Sequence, residues 1–98
     1  MEGMVLVALD TQREVLRVAE LVHEVLRDLG VAGEARVWAS EGLYDVVVEL
    51  PRASPALLAV VASAVRKRVP TALAVDWVVK TSLIRPSPGL PGESHARP

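Results

Sequence analysis

Met4-Val5-Leu6-Val7-Ala8-Leu9 is an unbroken apolar run that ends at Asp10. A short run apolar on both faces predicts a strand inside a sheet rather than at its edge. The segment from Gln12 to Leu29 has apolar residues at 15, 18, 19, 22, 25, 26 and 29, the three-and-four spacing of one helical face. Thr11-Gln12-Arg13-Glu14 has the pattern of a capping box, with Thr11 accepting from the backbone N–H of Glu14. Gly30 stops the helix. Glu34 to Ser40 then alternates, Ala35, Val37 and Ala39 opposing Arg36 and Trp38. Glu41-Gly42-Leu43 is a short connection, so this strand and Tyr44 to Leu50 form a hairpin. In that second arm Tyr44, Val46, Val48 and Leu50 share one face, and Asp45, Val47 and Glu49 the other. Ser54-Pro55 is a helix entry, with Ser as N-cap and Pro at the first helical position. Ala56 to Val69 follows as a helix that Pro70 ends, and Leu73 to Ile84 reads as the last strand.

The order β-α-β-β-α-β is the split βαβ, or ferredoxin-like, arrangement of the α+β class. Right-handed crossovers put both helices on one face of a four-stranded antiparallel sheet, in the spatial order 4-1-3-2. The domain is expected to span residues 1–84. The proline- and glycine-rich segment 85–98 has little to bury and is expected to be a flexible tail.

That layering leaves one sheet face open, and its pattern is unusual. Alternation assigns to it Arg36 and Trp38, then Asp45, Val47 and Glu49, then Ala74, Asp76, Val78 and Lys80, besides aliphatics from the first strand. Val47 flanked by two acids is out of place on a wetted face. An aliphatic stripe with an indole, rimmed by both signs of charge, reads as an association surface. Trp38, Val47 and Val78 are its expected contact residues, with Asp45 and Glu49 framing it.

Composition narrows the function classes. The chain has 98 residues, is 51% hydrophobic and lacks both Phe and Cys. The core is therefore aliphatic, and disulfides and thiolate metal sites are excluded. A net charge of -1 gives no global basic excess for nucleic acid. No stretch approaches the ~20 apolar residues that span a bilayer. The N-terminus lacks the basic segment of a signal peptide, so the expected compartment is the cytoplasm.

Candidate chemistry is sparse. Arg66-Lys67-Arg68 is the basic cluster, read as a solvated last helical turn favoured by the helix dipole. His23 lies among Glu20, Glu24 and Arg27 on the wet side of the first helix, where i,i+4 surface pairing is expected instead of a metal site. His95 falls in the tail. No GxSxG, HExxH or GxxxxGK[ST] motif occurs. Asp45 and Glu49, roughly 13 Å apart along one strand, are too distant to share a proton or a metal. These residues imply neither a cofactor nor a metal, and the balance favours a non-enzymatic protein.

Gly42-Leu43-Tyr44-Asp45-Val46-Val47-Val48-Glu49-Leu50 resembles the G-x-Y-D-hydrophobic signature of the Lrp/AsnC effector-binding (RAM) domain. The strand before it and the Ser54-Pro55 helix after it sit where that family has its second strand and second helix, so the likeness covers about residues 34 to 69. The resemblance implies dimers that bury their open sheet faces, higher oligomers, and a small effector such as an amino acid bound near the hairpin. It points to Gly42, Tyr44 and Asp45 as ligand-binding residues of a stand-alone regulatory module. An ACT-like regulatory domain implies nearly the same. Because this fold hosts many functions, two other classes stay open. One is a protein or nucleic-acid adaptor using Trp38 and the basic end Arg66–Arg68. The other is a dimeric, cofactor-free ferredoxin-like enzyme.

Overall fold

The computed structural model describes residues 2–87. The first strand, β1 (Gly3–Ala8), is followed by a single 3-10 turn and helix α1 (Val15–Asp28). Another 3-10 turn leads into β2 (Arg36–Ala39), which a hairpin joins to β3 (Val46–Leu50). Helix α2 (Pro55–Arg68) and strand β4 (Ala74–Val79) complete the domain. The sheet order β2-β3-β1-β4 is the expected 4-1-3-2 read from the other edge, and every neighbouring pair is antiparallel.

The central position of β1 follows from its apolar run, since it is hydrogen-bonded on both sides. Its alternate residues divide between two environments. Val5 and Val7 are fully buried beneath the helices, while Met4 and Leu6 are half-buried on the opposite face. The core joins Val5, Val7, Val46 and Val48 to Val22 and Leu26 of α1 and Leu58 and Val61 of α2, all at 0% exposure. Each such side chain contributes roughly 1.5–3 kcal/mol relative to leaving it in water. No helix among the described residues is long and apolar enough to cross a membrane.

Local sequence sets most of the element ends. Ser54 caps α2 by accepting from the N–H of Leu57 at 3.1 Å, with Pro55 at its first position. Gly30 terminates α1 with φ 75°, a conformation that costs a glycine little. Three expectations need correction. Thr11 accepts from Arg13 N–H rather than from Glu14, whose N–H goes to the Thr11 carbonyl, so a 3-10 turn replaces the capping box. The strands are shorter than their patterns: β2 begins at Arg36, β3 at Val46, and β4 ends at Val79 instead of Ile84. At the other end β1 takes in Gly3, whose missing Cβ lets Leu58 approach; a methyl there would lie 2.5 Å from Leu58 Cδ1. Most of the expected tail, residues 88–98 with His95, lies outside the described residues.

Candidate functional site

Pairing register turns the open face of the sheet into two rows. Arg36, Glu49, Met4 and Val78 stand side by side across β2, β3, β1 and β4. The next row is Trp38, Val47, Leu6 and Asp76. Met4, Leu6, Val47 and Val78 are contiguous over three strands, and Trp38 extends the patch onto the fourth. Val78 is 43% exposed and Trp38 51%, whereas Met4, Leu6 and Val47 are partly shielded by neighbours on the flat face. Trp38 is held across the strands by its indole N–H, which donates to Glu49 Oε1 at 2.8 Å. The end of the patch carries the Lys80–Glu2 ion pair at 2.8 Å, which holds the Glu2 carboxyl below its ordinary range. A shallow hollow of about 340 Å³ lies between that pair and the Met4–Val78 step.

The three expected contact residues, Trp38, Val47 and Val78, therefore do share one surface. Met4 and Leu6, which form its middle, were not identifiable individually from the sequence. Both faces of β1 are apolar, so only register decides which of its residues meet the helices.

The hairpin residues have a different arrangement. Gly42 occupies the turn with φ 112°, and Ser40 closes it, its N–H donating to the Asp45 carbonyl at 2.9 Å and its hydroxyl to the Tyr44 carbonyl at 2.7 Å. Strict alternation would send Tyr44 toward the helices with Val46 and Val48. Instead it precedes the strand, and its hydroxyl donates to Asp76 Oδ2 at 3.0 Å on the open face. That bond raises the Tyr44 pKa, because the phenol is a donor to an acid and its ionised form is not.

Asp45 does not stand at a solvated margin. It is 8% exposed, and its carboxylate accepts the Leu9 N–H at 2.7 Å, just past the end of β1. Its own N–H donates to the Val7 carbonyl at 2.8 Å. Gly42, Tyr44 and Asp45 thus make three separate attachments, Gly42 in the turn, Tyr44 to β4 and Asp45 to the end of β1. The hollow beside the hairpin, about 380 Å³, is lined by Gln12, Val15, Ala39, Ser40 and Glu41.

The basic helix end is largely engaged within the fold. Arg66 donates to the Val75 carbonyl of β4. Arg68 bridges Glu24 at 2.7 Å and Asp28 at 3.2 Å, clamping α2 to α1. This replaces the within-helix pairing expected of Glu24; Glu20 instead faces Arg17 at 3.8 Å. Trp38, on the open face of β2, and Arg66–Arg68, at the end of α2 in the helix layer, belong to opposite sides of the sheet. They do not make one basic, aromatic surface of the kind that single-stranded nucleic acid needs. Among the described residues no three His, Cys, Asp or Glu side chains gather as a metal site.

No family model matches the sequence, and no curated protein does. Among solved structures, the chain is similar to the "Crystal structure of PH0061", with a TM-score of 0.48 and 16% identity. The match covers 87% of this chain and 54% of that one, so the chain spans about half the length of that structure.

Proposed function

We propose that this chain is a homo-associating module that pairs two copies through the open faces of their sheets. The observation that carries this is the contiguous patch of Met4, Leu6, Val47 and Val78, continued by Trp38, beside which the one inner-strand charge, Glu49, accepts the Trp38 indole N–H. Arg36 stands on β2 and Asp76 on β4, the two outer strands. A two-fold axis lying between the sheets and near the strand direction lays the β2 edge of one copy over the β4 edge of the other. Arg36 then faces the side that carries Asp76, so the patch complements itself, as an isologous contact must.

Strand geometry sets the strength. Four strands ~4.8 Å apart, with about five residues rising ~3.3 Å each, give a projected face of roughly 300 Å². Two faces bury on the order of 600 Å², below the ~1,200 Å² of stable specific interfaces. The pair is therefore weak and concentration-dependent. A RAM-like or ACT-like regulatory role is consistent with such an exchanging pair. In that reading an amino acid or similar metabolite binds near Gly42 and Tyr44 and stabilises the association.

Sedimentation over a wide concentration range tests the pairing. The wild-type mass is expected to rise with concentration, and Val47→Asp to remain monomeric with unchanged helical circular dichroism. A carboxylate buried without a partner costs about 3 kcal/mol or more, roughly a hundredfold in Kd. A wild-type protein that stays monomeric throughout, or a Val47→Asp protein that associates equally well, refutes the proposal. A thermal-shift screen of amino acids tests the effector, since a ligand selective for the folded state raises its apparent stability.

A further inference from the structure

The two outer strands end the sheet, and among the described residues their outward backbone groups have no neighbouring strand. On β4 the pairing settles which groups these are. The Lys80 N–H bonds the carbonyl of Glu2, the residue directly opposite, so alternate residues 78, 76 and 74 also turn their backbone groups toward β1. Val75, Trp77 and Val79 consequently present theirs to the open edge. This edge is apolar, and Trp77 on it is 38% exposed. Such a strand is a template for a further strand unless something obstructs it.

One side chain does. The Arg66 guanidinium, from the last turn of α2, donates to the Val75 carbonyl, one of the outward acceptors. It thereby puts a charged, hydrated group in the line where an added strand would run. We propose that the outer edge of β4 is a strand-pairing surface and that Arg66 holds it closed, the added strand being β4 of a second copy.

The identity of that occupant follows from register. When two β4 strands run antiparallel about Val78, Trp77 of each copy exchanges hydrogen bonds with Val79 of the other. Asp76 of each then stands directly opposite Lys80 of the other, giving two opposite-charge cross-strand pairs. No other antiparallel register of this edge sets Asp76 directly against Lys80, the residue just past the end of β4. With Arg66 in place the next outward carbonyl, Val75, is occupied, so the ladder cannot extend and the edge stays unpaired.

This inference does not depend on face pairing. In a Val47→Asp background, which removes any association through the sheet face, Arg66→Ala is expected to double the apparent mass at high concentration. Hydrogen exchange at the Trp77 and Val79 amides should slow at least tenfold with concentration. Arg66→Gln, which keeps most of the stem but lacks the charge, should show the same effect in milder form. Adding Val79→Pro, which deletes an outward N–H without touching the β1 ladder, should restore the monomer. Circular dichroism identifies the folded variants on which the comparison is made. Folded Arg66→Ala and Arg66→Gln proteins that remain monomeric, with unchanged exchange at Trp77 and Val79, overturn the proposal.

Discussion

Replacing Asp45 with alanine removes the acceptor of the Leu9 N–H and tests whether this carboxylate is part of the scaffold. Asp45 is 8% exposed and the bond is 2.7 Å long, joining the hairpin to the chain just after β1. A hydrogen bond to a charged group contributes about 1.5–3 kcal/mol, and its loss leaves a half-buried N–H unpaired. Asp45→Ala is therefore expected to lose about 2 kcal/mol. For a domain of this size that lowers Tm by roughly 8–16 °C and the urea midpoint by on the order of 1–2 M at constant slope. Asp45→Asn retains an acceptor oxygen without the charge and should lose about half as much. The measurement is urea unfolding followed by far-ultraviolet circular dichroism, made in the Val47→Asp background so that association does not contribute. An alanine variant within about 0.5 kcal/mol of its parent would refute the reasoning, as would an asparagine variant that loses as much as alanine. A stable Asp45→Ala protein that lost a ligand-induced thermal shift would return Asp45 to the ligand site that the RAM resemblance implies.

Gly3→Ala puts a methyl 2.5 Å from Leu58 Cδ1, in a core where Leu58 is fully buried, and should cost about 1–3 kcal/mol; Gly3→Ala combined with Leu58→Ala should be less destabilising than the two single losses added, and strict additivity would show that the clash is absent. Tyr44 is the one tyrosine in the chain, so absorbance at high pH reads its titration directly. Its pKa is raised in the folded state by Asp76, so the stability it adds is fully present below pH ~10 and is lost as pH climbs through the folded value. Asp76→Ala should bring the phenol back toward pH ~10, and an unchanged titration would show that the bond does not form in solution.

How much of this was legible beforehand varies along the chain, for physical reasons. Ser54-Pro55 and Gly30 act on groups within a few residues of themselves, so their roles could be read locally. Thr11 departs from the local pattern because the 3-10 turn sends the Glu14 N–H to the Thr11 carbonyl and leaves its hydroxyl to accept from Arg13. The strand ends were overestimated because β-rich composition continues beyond the residues that have a partner strand. Asp45 and Tyr44 break the alternation where β3 begins. Their side chains answer to Leu9 and Asp76, partners distant in sequence that no local pattern reveals.

The sequence by itself determined the order of elements, the central place of β1 and the aliphatic character of the core, because periodicity and burial are properties of each segment. It also marked Val47 as a residue on the wrong face for water. Only the tertiary structure decided that Met4 and Leu6 join Val47 and Val78 in one patch. A strand apolar on both sides gives no clue to its orientation, and pairing with β3 and β4 settles it. The basic helix end likewise acquired meaning from what lay opposite: Arg68 met Glu24 and Asp28, and Arg66 met the edge of β4. Charge is written in the sequence, but the groups that neutralise or direct it are set by which elements the fold brings together.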